Sequence, residues 1–260
     1  METYVKSIID VINKLFEISH ELKDQIKNLF SDFKSKLITR TQVIERFKNI
    51  LKDLRSIPQQ TFRINEQIKD SLLLVNNAPS SFLYVGYGHR NEGVISVISE
   101  HYLLPSDMVF VADPTFENEM NVTIIEYDDQ FNLPLKNETI DLAVVFVVLH
   151  HLTFEERNKL LSEISRILTN DGILIIREHN SNKDENFETY IDLLHIFWFI
   201  TKQETSEPLH LFSMNEFNQQ LNNNNLFIDQ IIQPPSDVPN PQRIYHARIS
   251  KNNLSGNVMC

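Results

Sequence analysis

Glycine is scarce in this chain: five occur in 260 residues, and three of them, Gly86, Gly88 and Gly93, fall within eight positions. A chain so poor in glycine places it where a side chain would obstruct something. Cysteine is nearly absent, and the only one, Cys260, is the last residue. An internal disulfide and a cysteine metal site are thereby excluded, and a reducing, cytoplasmic setting is the natural expectation. No apolar run is long enough to span a bilayer. The opening METYVKSIIDVINKLF reads as an amphipathic helix containing acids, not as a signal peptide. Basic excess is missing too: the formal net charge is −11. Such a chain is not built for non-specific nucleic-acid binding, so any contact with RNA has to be local or aided by a partner.

The charge is uneven. Residues 1–80 hold 13 basic and 10 acidic residues, whereas 81–260 hold 11 and 25. The first stretch reads as all helix, with Val5, Ile8, Ile12 and Leu15 at helical spacing and Val43, Phe47, Ile50 and Leu54 likewise. Pro58 and Pro79 frame a further helix over about 62–75. Residues 1–78 are therefore expected to form a helical extension, and 79–260 the ligand-binding domain.

From Ser81 strands and helices alternate. The predicted strands are 82–85, 108–112, 122–125, 142–147 and 173–176, the fourth apolar throughout, as a covered parallel strand should be. A helix from Gly93 to Tyr102 follows the first strand. Thr153 and Glu156 form a capping box that starts a helix with Leu160, Leu161, Ile164, Ile167 and Leu168 inward, ended by Gly172. Residues 187–201 make a long aromatic helix; of Tyr190, Phe197, Trp198 and Phe199, most must be core and one is available to stack on a base. Ser213 and Glu216 cap another helix. The strands 227–232 and 243–249 close the chain as an antiparallel pair at a sheet edge. The expected fold class is α/β: a doubly wound, mostly parallel sheet with an antiparallel C-terminal edge hairpin and N-terminal helices.

Ligands in such sheets bind at the carboxyl ends of the strands. Those ends deliver Gly86 and Gly88, then Asp113 about 25 residues on, then Asp128 and Asp129, then Val147, Val148, Leu149, His150 and His151, and last Arg177, Glu178, His179 and Asn180. A glycine bend before a helix lets the backbone approach a ligand. An acid after the second strand suits the two hydroxyls of a ribose. Adjacent histidines rarely share an ion, and no third ligand is spaced for one, so no metal site is expected. A nicotinamide dehydrogenase shares the glycines and the acid, but not the rest of the pattern.

The run DDQFNLPLKNETIDLAVVFVVLHHLTFEERNKLLSEISRILTNDGILII resembles the middle of class I S-adenosylmethionine-dependent methyltransferases. Asp129 before NLPL, Asp141 opening the fourth strand, LHHL after it and NDG before the fifth carry the likeness, which extends over roughly 81–250. It implies S-adenosylmethionine as cofactor. Gly86 and Gly88 would approach its methionine part, Asp113 would hold the ribose, and Asp129 the adenine amino group. Val147, Val148 and Leu149 would line the pocket beneath the methyl. Two departures stand out. Tyr84 takes the place of the family's acid two residues before the first glycine, and the third glycine is displaced to Gly93.

Transfer to a hydroxyl calls for a base, and the apolar end of the fourth strand offers none. Guanine N7 needs only proximity, alignment and suitable electrostatics. LHH is similar to the segment at that place in mRNA cap guanine-N7 methyltransferases, and FRINEQIKDSLL resembles the Asn-and-Lys motif of the helix before their first strand. On that likeness Lys69, with Asn65, would reach the cofactor carboxylate. The nearest look is to the methyltransferase domain of capping enzymes of large cytoplasmic DNA viruses such as African swine fever virus. Capped RNA would then be the substrate, Met1 an expression start, a guanylyltransferase portion the preceding chain, and the host cytoplasm or virion the location. His150, Glu178 and Tyr245 are the positioning candidates, with Glu178 facing the cleft to read the guanine edge or paired with Arg177 or another basic neighbour. Two alternatives stay open: a methyltransferase of a small molecule or protein, and an inactive stimulatory subunit.

Overall fold

The computed structural model describes residues 2–15, 18–51, 75, 77–86, 92–113, 122–126, 128, 130–181, 184–200, 208–232 and 244–251. Two compact units result. One comprises Met1–Phe62, Lys183–Pro208 and Ser236–Arg243; the other comprises Arg63–Asn182, Leu209–Pro235 and Ile244–Cys260.

The first unit is helical. Its described helices are α1 (Glu2–Leu15), α2 (His20–Lys34), α3 (Arg40–Leu51) and, from far along the chain, α6 (Glu185–Ile200). The N-terminal helices thus share their unit with the aromatic helix. Ser19 caps α2 by accepting from the Leu22 amide. Thr39 and Gln42 cap α3 reciprocally: the Thr39 amide donates to Gln42 Oε1 at 2.9 Å and the Gln42 amide to Thr39 Oγ1 at 3.3 Å. Ile8, Ile12, Ile26, Phe30, Val43, Phe47, Phe187, Tyr190 and Phe197 are buried, so Tyr190 and Phe197 are core residues. The Tyr190 hydroxyl lies 3.1 Å from Ser7 Oγ. Arg40 reaches Asp192 at 2.6 Å and Glu188 at 3.2 Å.

The second unit is built on one sheet. Its strands are β1 (Phe82–Val85), β2 (Val109–Ala112), β3 (Thr123–Ile124), β4 (Ile140–Phe146), β5 (Leu168–His179), β6 (Phe227–Ile232) and β7 (Ile244–Ser250), in the order β3-β2-β1-β4-β5-β7-β6. Strands β1 to β5 run parallel, and β7 runs antiparallel to both β5 and β6. Helices α4 (Glu92–Tyr102), α5 (Phe154–Ile167) and α7 (Met214–Asn223) belong to this unit. Alternation divides the sheet residues between two cores. Leu83, Val85, Ala143, Val145, Leu174 and Ile176 join Leu160, Leu161 and Ile164 of α5. Phe82, Tyr84, Leu142, Val144, Ile173 and Ile175 join Val94, Ile95 and Ile98 of α4. Both capping boxes, Thr153 with Glu156 and Ser213 with Glu216, are formed.

Sequence and structure differ at several boundaries. The helix predicted over 62–75 lies outside the described residues, apart from Val75, which is irregular. Met108 belongs to a short 3-10 turn, and β3 is only Thr123–Ile124. Gly172 does not end a helix: α5 stops at Ile167, and Gly172 sits inside β5. Ile140 faces Leu168 while Leu142 faces Ile173, so Thr169–Gly172 bulge against Asp141 alone. A Cβ on Gly172 would come within 2.9 Å of the Ile140 carbonyl oxygen and 3.0 Å of the Thr169 amide nitrogen and carbonyl oxygen. Close backbone approach explains this glycine.

Candidate active site

Asp141 ties the amino ends together. Its carboxylate accepts from the Ser80 amide at 2.9 Å and from Thr169 Oγ1 at 3.1 Å, and its own amide donates to Ser81 Oγ. The Asp141 of the quoted motif is thus a structural clasp.

The carboxyl ends of β1 and β2 hold Gly86 and Asp113. Gly86 is buried at the end of β1, where its amide donates to the Ala112 carbonyl at 3.1 Å. Asp113 follows β2 directly and is 2 % exposed. Tyr84 is turned into the core. It is 1 % exposed and packs in the core with α4. Burial, reinforced by the Asp113 charge, holds its phenol well above the usual range, so it stays neutral.

After β4 the backbone turns sharply. Val147 adopts φ 57°, a left-handed conformation strained for a β-branched residue. Its amide is held by the Arg177 carbonyl at 2.7 Å. A 3-10 turn over Leu149–His151 follows. Val148 and Leu149 are buried and Val147 half-buried.

Glu178 governs that turn. It is fully buried. Oε2 accepts from the Leu149 amide at 2.9 Å; Oε1 lies 2.6 Å from His150 Nδ1 and accepts from the His179 amide at 2.8 Å. Burial, opposed by the nearby histidines and these backbone donors, holds its carboxyl above the usual range. Of the two expectations for Glu178, the structure shows the pairing with a basic neighbour, His150, and not a carboxylate open to a cleft. β5 alternation turns it toward α5, away from Arg177, and its carboxylate is engaged inside the protein. His150, Glu178 and His179 offer ligand atoms within 4.8 Å of one another, a third ligand that linear spacing did not reveal. The hydrogen bonds just given already engage that carboxylate.

Two arginines missed in the sequence complete the frame. Arg157 Nη1 donates to the carbonyls of Leu149, Leu152 and His210 at 2.9–3.1 Å, and Nε to Gln220 Oε1. Its guanidinium lies 4.3 Å over the Phe212 ring. Arg166 holds the NLPL loop, donating to the Leu133 and Leu135 carbonyls while paired with Glu163 at 2.7 Å. The signal for Arg157 was present: it continues the buried stripe of Leu160, Leu161 and Ile164. Asp128 accepts from the amides of Gln130 and Asn132 and from Asn132 Nδ2. These bonds lower its carboxyl and commit it to its own loop.

Lys69, Asn65, Gly88 and Asp129 lie outside the described residues. Tyr245 faces Glu178 in the backbone register of β7 against β5.

Residues 106–176 match the family model described as a methyltransferase domain. None of the curated proteins matches the chain. Among solved structures it is similar to the geranyl diphosphate C-methyltransferase of Streptomyces coelicolor, solved with Mg²⁺, geranyl diphosphate and S-adenosyl-L-homocysteine (11 % identity, 72 % of this chain and 77 % of that one, TM-score 0.52). It is also similar to an S-adenosylmethionine-dependent methyltransferase of Mesorhizobium loti (12 %, 70 % and 96 %, 0.52) and to a Pyrococcus horikoshii protein (15 %, 74 % and 92 %, 0.52). The chain has the class I S-adenosylmethionine-dependent methyltransferase fold, whose cofactor is S-adenosylmethionine. Among the described residues no helix is long and apolar enough to cross a membrane.

Proposed function

We propose that this chain transfers a methyl group from S-adenosylmethionine to a small-molecule acceptor. The observation that carries the reading is the buried carboxylate of Asp113 beside Gly86, at the carboxyl ends of adjoining parallel strands. A carboxylate there fits the chemistry of a ribose, whose two hydroxyls are donors. The cofactor supplies an electrophilic methyl on sulfonium. The chain's part is to bind, align and exclude water. Val147, Val148 and Leu149 form the apolar wall. The Glu178–His150 pair and Arg157 fix the turn that presents it, so His150 and Glu178 are positioning residues. Gly88, Asp129 and Lys69 complete the cofactor contacts in this reading.

The acceptor is preferred small because Glu178, the acid expected to read a guanine edge, is sealed within the protein. A strongly acidic 81–260 region points the same way. Capped RNA, with or without a guanylyltransferase portion, is the competing arm of the test.

Titration calorimetry with S-adenosylhomocysteine comes first: binding is expected, and its absence would favour the inactive subunit. Labelled cofactor is then offered with a panel of small nucleophiles and, separately, with GpppA-capped RNA. Label at guanine N7 would replace the small-molecule reading. Asp113→Ala is expected to weaken cofactor binding by about tenfold or more, the scale of a lost charged hydrogen-bond acceptor, while remaining folded by circular dichroism. Unchanged affinity would sink the ribose assignment.

A further inference from the structure

We propose that Arg177 is an anion-recognition residue, so that the acceptor carries a carboxylate or phosphate; the inference deepens the methyltransferase reading and rests on it. Arg177 lies near the carboxyl end of β5, opposite Phe146 of β4. Its strand neighbours Ile173 and Ile175 pack on the α4 side with Tyr84 and Phe146. Alternation sends the guanidinium to that side, next to the Val147 turn whose amide its own carbonyl holds. It therefore stands where the proposed acceptor would meet the cofactor methyl.

The guanidinium is under-used. Nε is buried without a hydrogen-bond partner. Among the described residues no ion pair is made to it. The adjacent acid, Glu178, points to the other face and is committed to Leu149, His150 and His179. Tyr84, the other group it senses electrostatically, is held neutral by burial. Burial pushes Arg177 down to about 10, which leaves it charged at neutral pH. Arg177 is half-buried, but a Nε–H held out of water without a partner is costly, and packing alone gives no reason for it. An arginine presents a planar fork that matches a carboxylate or phosphate with two parallel hydrogen bonds. The surrounding acidity repels anions at long range, so recognition has to come from such a local contact.

The full chain, with and without saturating S-adenosylhomocysteine, is titrated with sodium benzoate and with inorganic pyrophosphate at fixed ionic strength. Calorimetry and the ¹⁵Nε–H resonance of Arg177 report binding, and the two anions separate carboxylate from phosphate recognition. At least one anion is expected to bind saturably and shift that resonance. Arg177→Gln should weaken binding by about tenfold or more, with neutral benzamide unaffected, and Arg177→Lys should restore part of it. Arg177→Met should lose anion binding yet be at least as resistant to urea as the parent, because it removes a buried donor that has no hydrogen-bond partner. Equal anion affinity in parent and Arg177→Gln, no binding of either anion, or a marked loss of stability in Arg177→Met would overturn the proposal. If S-adenosylhomocysteine binds and the anions do not, this inference alone falls. If anions bind through Arg177 and the product does not, the methyltransferase reading falls and the anion site stands.

Discussion

The two ends of the sheet are made differently. At the amino ends a side-chain clasp and a close backbone contact prevail. Asp141 joins the chain at Ser80, Ser81 and Thr169, and Gly172 lets the β5 bulge lie directly on the Ile140 carbonyl. At the carboxyl ends the protein tolerates discomfort. Val147 is held in a left-handed conformation, and Arg177 keeps a buried nitrogen unpaired. Val147 and Arg177 carry strain and an unmet hydrogen bond beside the proposed site, the kind of place where such features recur in proteins. Even so, the carboxyl end is not uniformly loose. Glu178, one residue from Arg177, is as fully engaged as anything at the amino end.

The sharpest break in that comparison is therefore Glu178. Glu178→Leu would strand two backbone amides and the His150 ring nitrogen in the interior. A loss of about 3–5 kcal/mol is expected, the scale of a broken buried network, read from urea unfolding. Glu178→Gln keeps the shape and should cost less. It also tests the pH dependence. A carboxyl raised by burial favours the protonated form in the folded state. Its contribution is fully present below the unfolded value, about 4.5, and is lost as pH rises through the folded value. The stability of the parent relative to Glu178→Gln should therefore decline from about pH 4.5 upward. A difference that grows with pH would show that the hydrogen bonds to the carboxylate outweigh its burial.

Next in size is the amino end. Gly172→Ala would drive a methyl against backbone atoms of Ile140 and Thr169, which cannot swing aside as a side chain can. About 1–3 kcal/mol of destabilisation is expected, in the range of overpacking. Cofactor affinity should not change, because the proposed site lies at the other end of the strands. A weakened affinity in a folded Gly172→Ala protein would show that the two ends are coupled.

Much of this frame was legible in the sequence because it rests on local signals. The capping boxes at Thr153 and Ser213, the apolar run of β4 and the terminal strand pair all use short-range rules. Gly172 misled because helix end and strand bulge both call for glycine, and only the register of β5 against β4 decides between them. Glu178 misled because alternation settles its side only once the extent of β5 is known. Arg157 and Arg166 act on carbonyls up to 53 residues away in sequence, and no linear spacing encodes those partners. Arg177 was visible as a residue, but its lack of a partner is a property of three dimensions.

The smallest expected effect is the most discriminating. Val147→Gly removes a β-branched side chain from a left-handed backbone. Relief of that strain, about 1–2 kcal/mol, is partly offset by the extra freedom of glycine when unfolded. A net gain of about 0.5–1 kcal/mol in urea unfolding is expected. If the strain serves only folding economy, nothing else should change. If it holds the apolar wall against the cofactor, the more stable variant should bind S-adenosylhomocysteine more weakly. Higher stability with weaker binding would mark the carboxyl end as shaped for a ligand. Lower stability would mean that the Val147 side chain packs more favourably than its backbone is strained, and the contrast between the two ends would lose one of its two supports.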